Sequence, residues 1–198
     1  MPETNASPSR RQPSAYALAW GFYLVVAIVG LVWLGFQNDR LPLGLFLHPD
    51  SWLADAALGL GAGALLAAVW ALGCRYWSRA RALEARLAGL LGPLRADEAV
   101  ALAVISGVAE EVLFRGAVLQ AWGWITATLL FALVHFGGRA FRLWAVWALA
   151  AGLLLALLVL WRGNLLPAIL THAVVNTAGL LRLRRSRTEP SAKGSVGG

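Results

Sequence analysis

Long hydrophobic blocks separated by short polar segments dominate the pattern of this chain. A helix needs about 20 apolar residues to cross a hydrocarbon core roughly 30 Å thick, and most of the blocks are close to that length. The six blocks run over about 15–36, 52–74, 99–120, 124–136, 143–161 and 167–181. This pattern predicts an all-α fold: a polytopic membrane protein with about six transmembrane helices.

The segment between the second and third blocks has a different pattern. Five arginines, the last of them Arg95, recur among leucines from about residue 75 to residue 95. A helix with one basic face and one apolar face is typical of the membrane interface. Residues 15–95 are therefore predicted to form two N-terminal transmembrane helices and one interfacial amphipathic helix.

The two ends of the chain are polar. Residues 1–14 are rich in Pro and Ser, and residues 182–198 carry five basic side chains. Such compositions do not bury enough apolar surface to fold. We predict a disordered cytoplasmic tail over 1–14 and a basic, disordered cytoplasmic tail over 182–198. No small-residue cleavage site follows the first block, which is expected to be a retained signal anchor.

Composition supports the membrane assignment. The chain is 59% hydrophobic and 14% charged, whereas soluble domains average roughly 45–50% apolar and about 25% charged residues. The net charge of +7 comes from arginines between the blocks, which is typical of topology signals and predicts no nucleic-acid partner. The single cysteine, Cys74, excludes an internal disulfide and a Cys-based metal cluster.

The distribution of Lys and Arg predicts the orientation. If the chain crosses the membrane six times with both termini inside, the inner segments hold 14 basic residues. The outer segments then hold two, Arg40 and Arg162. Cytoplasmic loops carry the excess of Lys and Arg. Both termini are therefore expected in the cytoplasm. The Ala-, Leu- and Arg-rich composition is typical of bacteria, so the predicted location is a bacterial inner membrane.

Three charged residues lie inside the third block, where a charge is costly and usually functional. Glu111 and Arg115 are four residues apart, so they share a helix face and can form an ion pair. Glu110 points about 100° away from Glu111 on a regular helix. The pair is predicted to be structural, and Glu110 is the carboxylate that remains for chemistry.

Two histidines also lie within predicted spans. His135 is near the end of the fourth block, and His172 lies in the sixth block with Asn176 four residues later. A single histidine on an apolar face is usually a satisfied structural residue. Two histidines, a helical Asn and an unpaired Glu on separate spans indicate a functional site instead.

These residues resemble the three motifs of the CPBP family, the CAAX proteases and bacteriocin-processing proteins also called Abi. Glu110, Glu111 and Arg115 match Glu-Glu-x-x-x-Arg. Phe131 and His135 match Phe-x-x-x-His, and His172 and Asn176 match His-x-x-x-Asn. The resemblance implies that residues 96–181 form a CPBP/Abi catalytic core.

The resemblance implies an intramembrane endopeptidase that acts on a membrane-associated protein or peptide. By its motifs, Glu110 is the general base that activates a water, and His135 positions the water or the reacting carbonyl. His172 and Asn176 stabilise the oxyanion, a contribution of roughly 3–4 kcal/mol for one donor. Glu111, Arg115 and Phe131 support the site, and no cofactor is required.

Other interpretations use the same residues. Two histidines and one glutamate are a common catalytic zinc set, here Glu110, His135 and His172. The metal-free mechanism is preferred because Asn176 is a poor zinc ligand and a good oxyanion donor. Two functions of other classes are a non-catalytic, immunity-type membrane protein and a small transporter with a proton relay.

Overall fold

Helices form every regular element in the described part of the computed structural model, which comprises residues 15–91 and 94–188. The helices are α1 (Ala15–Asn38), α2 (Trp52–Tyr76), α3 (Ser78–Leu91), α4 (Ala96–Glu111), a π-helix (Val112–Val118), α5 (Leu119–Val134), α6 (Arg142–Arg162) and α7 (Leu166–Thr188). Two short 3-10 turns lie at Leu43–Leu45 and Arg139–Phe141. The tail predicted over 1–14 lies outside the described residues.

Five helical stretches among the described residues are long and apolar enough to cross a membrane. They are Ala15–Asn38, Trp52–Tyr76, Ala96–Val134, Arg139–Arg162 and Leu166–Arg185. The third stretch contains two of the six predicted blocks, so each predicted block is helical. The protein is an all-α, polytopic membrane protein, as the hydrophobic pattern predicts.

The stretch Ala96–Val134 is a hairpin that turns at Gly123. This glycine has φ 79° and ψ 167°, a conformation outside the helical region and rarely adopted by other residues. The rings of Phe114 and Phe131 lie 5.2 Å apart, although a straight helix would separate these residues by about 25 Å. The second half of α5 therefore runs back along α4 and the π-helix.

The returning half of α5 is short. From Trp124 to Val134 it covers roughly 16 Å at about 1.5 Å per residue, less than a hydrocarbon core of about 30 Å. The helix ends beside His135, which lies close to Glu110 on α4. The short length places this histidine at the depth of the α4 glutamates.

Small residues allow α7 to pack closely against α2. A Cβ at Gly59 would lie 2.6 Å from the carbonyl oxygen of Pro167, and a Cβ at Gly63 would lie 2.7 Å from Val174 Cβ. Gly61 faces open space instead. Close backbone approach at small residues is the usual way in which membrane helices associate.

Helix α1 runs alongside α4 and the π-helix in the same direction. A Cβ at Gly30 would lie 3.0 Å from the backbone of Leu113. Further along α1, Leu34 is fully buried against this region and Gln37 donates to the carbonyl of Ala117. This contact fixes the position of α1 relative to the glutamates of α4.

Two polar clusters connect the helices near their ends. Arg182 of α7 donates two hydrogen bonds, of 2.8 and 3.2 Å, to Glu84 of α3. At the other end of the bundle, fully buried Asp55 accepts from Arg162 and Asn164. The prediction of disorder from residue 182 is wrong up to Thr188, because α7 continues to that residue and its Arg182 bonds Glu84.

Candidate active site

Three helices bring the three motifs together. Glu110 lies in the last turn of α4, His135 follows α5, and His172 lies in α7. Glu110 Oε2 is 3.8 Å from His135 Nε2 and 3.9 Å from His172 Nε2. Glu110 and His172 are 8% and 6% exposed. The hairpin at Gly123 and the packing of α7 thus place two imidazoles on one buried carboxylate.

Hydrogen bonds orient both imidazoles toward Glu110. His135 Nδ1 lies 2.7 Å from the carbonyl oxygen of Phe131, and His172 Nδ1 lies 2.7 Å from Glu111 Oε1. Since a carbonyl and a carboxylate only accept, each Nδ1 carries a hydrogen and donates it. When either ring is neutral, its Nε2 lone pair is therefore directed toward Glu110.

Glu111 and Arg115 form the ion pair expected from their spacing. Arg115 Nη1 donates to Glu111 Oε1 over 2.8 Å, and both side chains are fully buried. Arg115 Nη2 donates to the carbonyl of Gly152 in α6, and the guanidinium lies 4.2 Å from the centre of the Phe131 ring. Arg115 therefore connects the Glu111 carboxylate to α5 and α6.

Asn176 is held by the helix that carries Glu110. Its Nδ2 donates to Ser106 Oγ over 2.9 Å, and Ser106 Oγ donates to the carbonyl of Ala103 over 3.1 Å. Ser106 lies one turn before Glu110, a spacing that could have identified it in the sequence. It was not predicted as a site residue.

A cavity of about 300 Å³ opens beside these residues. Glu110, His135, Ser106 and Asn176 line one part of it, and most of the remaining wall is apolar. The wall continues along α3 and α7 as far as Glu84 and Arg182, and the other residues that line it include Ala67, Trp70, Leu87, Leu90, Leu102, Trp144, Trp147, Val175 and Leu183. The polar site therefore borders an apolar space that extends to α3.

Comparison with known proteins finds a similarity over the part of the chain that carries the three motifs. Residues 96–178 match the family model described as type II CAAX prenyl endopeptidase Rce1-like. We refer to these matched residues as the Rce1-like domain. For this part of the chain, the match confirms the resemblance to the CPBP family that the three motifs carry.

One curated relative shows how far the similarity extends. The chain is 32% identical over 83 residues to an uncharacterized protein, YpbD, of Bacillus subtilis (strain 168). The aligned segment covers 42% of this chain and 44% of YpbD, so the chain spans less than half of that relative. No solved structure matches this chain significantly.

The Rce1-like domain does not contain all of the residues at the site. Tyr23 of α1 lines the same cavity as Glu110, and the Glu110 carboxylate acts electrostatically on its phenol. Sequence reasoning missed Tyr23 because it lies far from the motifs and has no charge. Its only signal is a phenol within a largely apolar first block, which it shares with Tyr16.

One oxygen of the central carboxylate lacks a protein partner. Glu110 Oε2 is buried and makes no hydrogen bond to the described residues. Buried polar atoms of this kind are rare and usually have a specific explanation. This oxygen faces both Nε2 atoms, so the polar groups of the Rce1-like domain converge on one point beside the cavity.

The donor set fits zinc in its chemistry but is loosely spaced for it. Each imidazole donates its Nδ1 hydrogen to an oxygen, as metal-binding histidines usually do. A tetrahedral zinc ion with bonds of about 2.0–2.1 Å places its ligand atoms roughly 3.3 Å apart. Glu110 lies 3.8 and 3.9 Å from the two nitrogens, so the three groups would have to move closer to bind one ion.

Proposed function

We propose that this chain is an intramembrane endopeptidase that hydrolyses a peptide bond in a membrane-associated protein or peptide, with a water activated by Glu110. The observation that carries the proposal is the convergence of His135 Nε2 and His172 Nε2 on the unpartnered Glu110 Oε2. The Rce1-like match to residues 96–178 supports the same reaction class.

The proposed reaction begins with a water between Glu110 and the imidazole of His135. Glu110 Oε2 takes one proton from the water. At the same time the oxygen of the water attacks the carbonyl carbon of the scissile bond. The resulting tetrahedral intermediate collapses when the protonated Glu110 gives that proton to the leaving amine. General-base catalysis of this kind contributes typically 10²–10⁴-fold to the rate.

Two donors are available for the oxyanion of the intermediate. The amide of Asn176 donates directly, once the substrate oxygen replaces Ser106 Oγ as its acceptor. His172 Nε2 donates only when the imidazole carries two protons, because its Nδ1 hydrogen is bonded to Glu111. The Glu111 carboxylate stabilises that doubly protonated form of His172. Glu111 therefore has a role in the reaction as well as in packing.

The apolar cavity supports a hydrophobic substrate segment. Its volume of about 300 Å³ accommodates a few small side chains, and its wall carries aromatic rings from α6. The cavity extends from Glu110 toward α3, the helix with the interfacial arginines. We infer that the substrate is already in the bilayer and reaches the site from the arginine-rich side. With both termini cytoplasmic, that side is the cytoplasmic face of a bacterial inner membrane.

A zinc-dependent version of the same hydrolysis is the second candidate. The orientation of both imidazoles favours it, because Phe131 and Glu111 hold the Nδ1 hydrogens and leave both Nε2 lone pairs free. His135, His172 and Glu110 would hold the ion, which supplies a bound water of lowered pKa. Asn176 then remains an oxyanion donor.

The proposed function is tested by comparing the termini of membrane proteins in cells that carry the wild type or Glu110→Gln. New termini should appear with the wild type and be lost with the variant. Glu98→Gln is the matched control, since Gln also closes the capping box at the start of α4. Identical termini in all three strains would refute proteolysis and support a non-catalytic membrane protein.

A further inference from the structure

Helix α1 supplies a polar group to the site from outside the Rce1-like domain. Tyr23 is half-buried and lines the cavity of about 300 Å³ together with Glu110, His135 and Asn176. The phenol interacts with the Glu110 carboxylate. Tyr23 thus brings a hydroxyl from the N-terminal segment to the cavity that the central carboxylate of residues 96–178 lines.

The packing of α1 holds Tyr23 in this place. Tyr23, Gly30 and Leu34 share one face of α1, since they are separated by seven and four residues. Gly30 lies against the backbone of Leu113, and Leu34 lies against Gly116. The same face therefore packs tightly on the π-helix and, two turns earlier, presents the phenol to α4.

The motif residues leave Glu110 without a donor of its own. In their neutral forms, His135 and His172 each have one ring hydrogen, on Nδ1, and donate it to another oxygen. Asn176 donates to Ser106. Arg115 donates to Glu111 and to a backbone carbonyl. Tyr23 lines the same cavity and carries an O–H group that can donate to this carboxylate.

We propose that Tyr23 is a positioning residue whose hydroxyl donates to the Glu110 carboxylate and holds it with Oε2 turned toward His135 and His172. Without this donor, the carboxylate is free to rotate away from the two imidazoles, and its ionised form loses a charge-assisted hydrogen bond. The expected loss of catalytic rate rests on the proposed function. The expected loss of a hydrogen bond to the Glu110 carboxylate does not.

Several charged or titratable groups also act on Glu110. His135 faces it from the end of α5 and His172 from α7. Glu111 and Arg115 are near it on α4 and the π-helix. None of these groups changes in Tyr23→Phe, which removes one oxygen atom and keeps the ring. The difference between the two proteins therefore isolates the hydroxyl.

The proposed hydrogen bond between Tyr23 and Glu110 is tested with dicyclohexylcarbodiimide. This reagent enters bilayers and modifies protonated carboxyl groups. The measured quantity is the rate of modification at Glu110 relative to that at Asp55, a fully buried carboxylate near the start of α2. Loss of one hydrogen bond to a charged group should raise this ratio about tenfold in Tyr23→Phe. Tyr16→Phe, the same change on the same helix outside the cavity, should leave the ratio unchanged.

A ratio in Tyr23→Phe equal to that of the wild type overturns the proposal, whether both rates stay constant or rise together through unfolding. Catalysis supplies a second readout on a peptide that spans a Glu110-dependent cleavage site. Tyr23→Phe should lower kcat about tenfold and leave KM unchanged, and Tyr16→Phe should change neither. A raised modification ratio with an unchanged kcat would refute the positioning role.

Discussion

His172 donates its Nδ1 hydrogen to Glu111 Oε1 over 2.7 Å, and this bond joins the third motif to the first. Arg115 donates to the same oxygen over 2.8 Å. One carboxylate oxygen thus fixes the ring of His172 and neutralises a buried guanidinium. Glu111 connects the structural and the chemical parts of the site.

Replacement of Arg115 by alanine should destabilise the protein more than it slows any reaction. The change leaves Glu111 buried without its cation, and breaking a buried pair costs roughly 3–5 kcal/mol. We expect poor accumulation in the membrane and a much lower Tm in detergent, measured by thermal unfolding of the purified protein.

Arg79→Ala is the control for this variant. Arg79 is exposed on α3, and a surface substitution of this kind usually changes stability by at most about 0.5 kcal/mol. An Arg115→Ala protein with the Tm of the Arg79→Ala protein would show that the buried pair is not structural.

Two glycines of α2 provide a matched test of the packing between α2 and α7. Gly59→Ala places a Cβ 2.6 Å from the Pro167 oxygen, so the helices must separate, and overpacking costs typically about 1–3 kcal/mol. Gly61→Ala meets nothing within 4 Å and gains helix propensity. Thermal unfolding should show a lower Tm for the first variant and no loss for the second, and equal Tm values would argue against this interface.

Much of the fold could be predicted because the length and position of each hydrophobic block indicate directly where a helix can span the membrane. The break between the third and fourth blocks falls at Gly123, as the sequence indicates. The helix predicted between the second and third blocks is present as α3. The extension of α7 could not be predicted, because its stability depends on the pairing of Arg182 with Glu84, 98 residues away in sequence.

The site was predictable only in part. The order of the three motifs identified Glu110, His135 and His172, and the structure brings them together. The π-helix from Val112 to Val118 has no sequence signal, since its hydrogen-bond register depends on neighbouring helices. Tyr23 was missed for a similar reason, because its relation to Glu110 arises from helix packing alone.

The orientation of the protein in the membrane is predicted by the distribution of its arginines. Reporter fusions after residue 45 should face the outside, and fusions after residue 90 should face the cytoplasm. Enzymatic reporters that are active on only one side of the membrane measure this directly. A reversed pattern of reporter activity would place the arginine-rich side outside and refute the proposed route of the substrate to Glu110.

Metal removal separates the two proposed mechanisms. The metal-free mechanism predicts that strong chelators leave cleavage unchanged, because Glu110 activates the water without an ion. Activity of the purified protein after chelation should be measured together with its zinc content. One tightly bound zinc per active chain, with activity lost on chelation and restored by zinc, would establish the zinc-dependent version.

The rate of cleavage by purified Glu110→Gln tests the central claim most directly. Gln is close to Glu in shape but cannot accept the proton, so the fold and the Tm should remain nearly unchanged. The rate on a peptide that spans an identified cleavage site should fall by a factor in or above the range of about 10²–10⁴ that general-base catalysis supplies. A folded Glu110→Gln protein that cleaves at the rate of the wild type would contradict the role of Glu110 as the catalytic base.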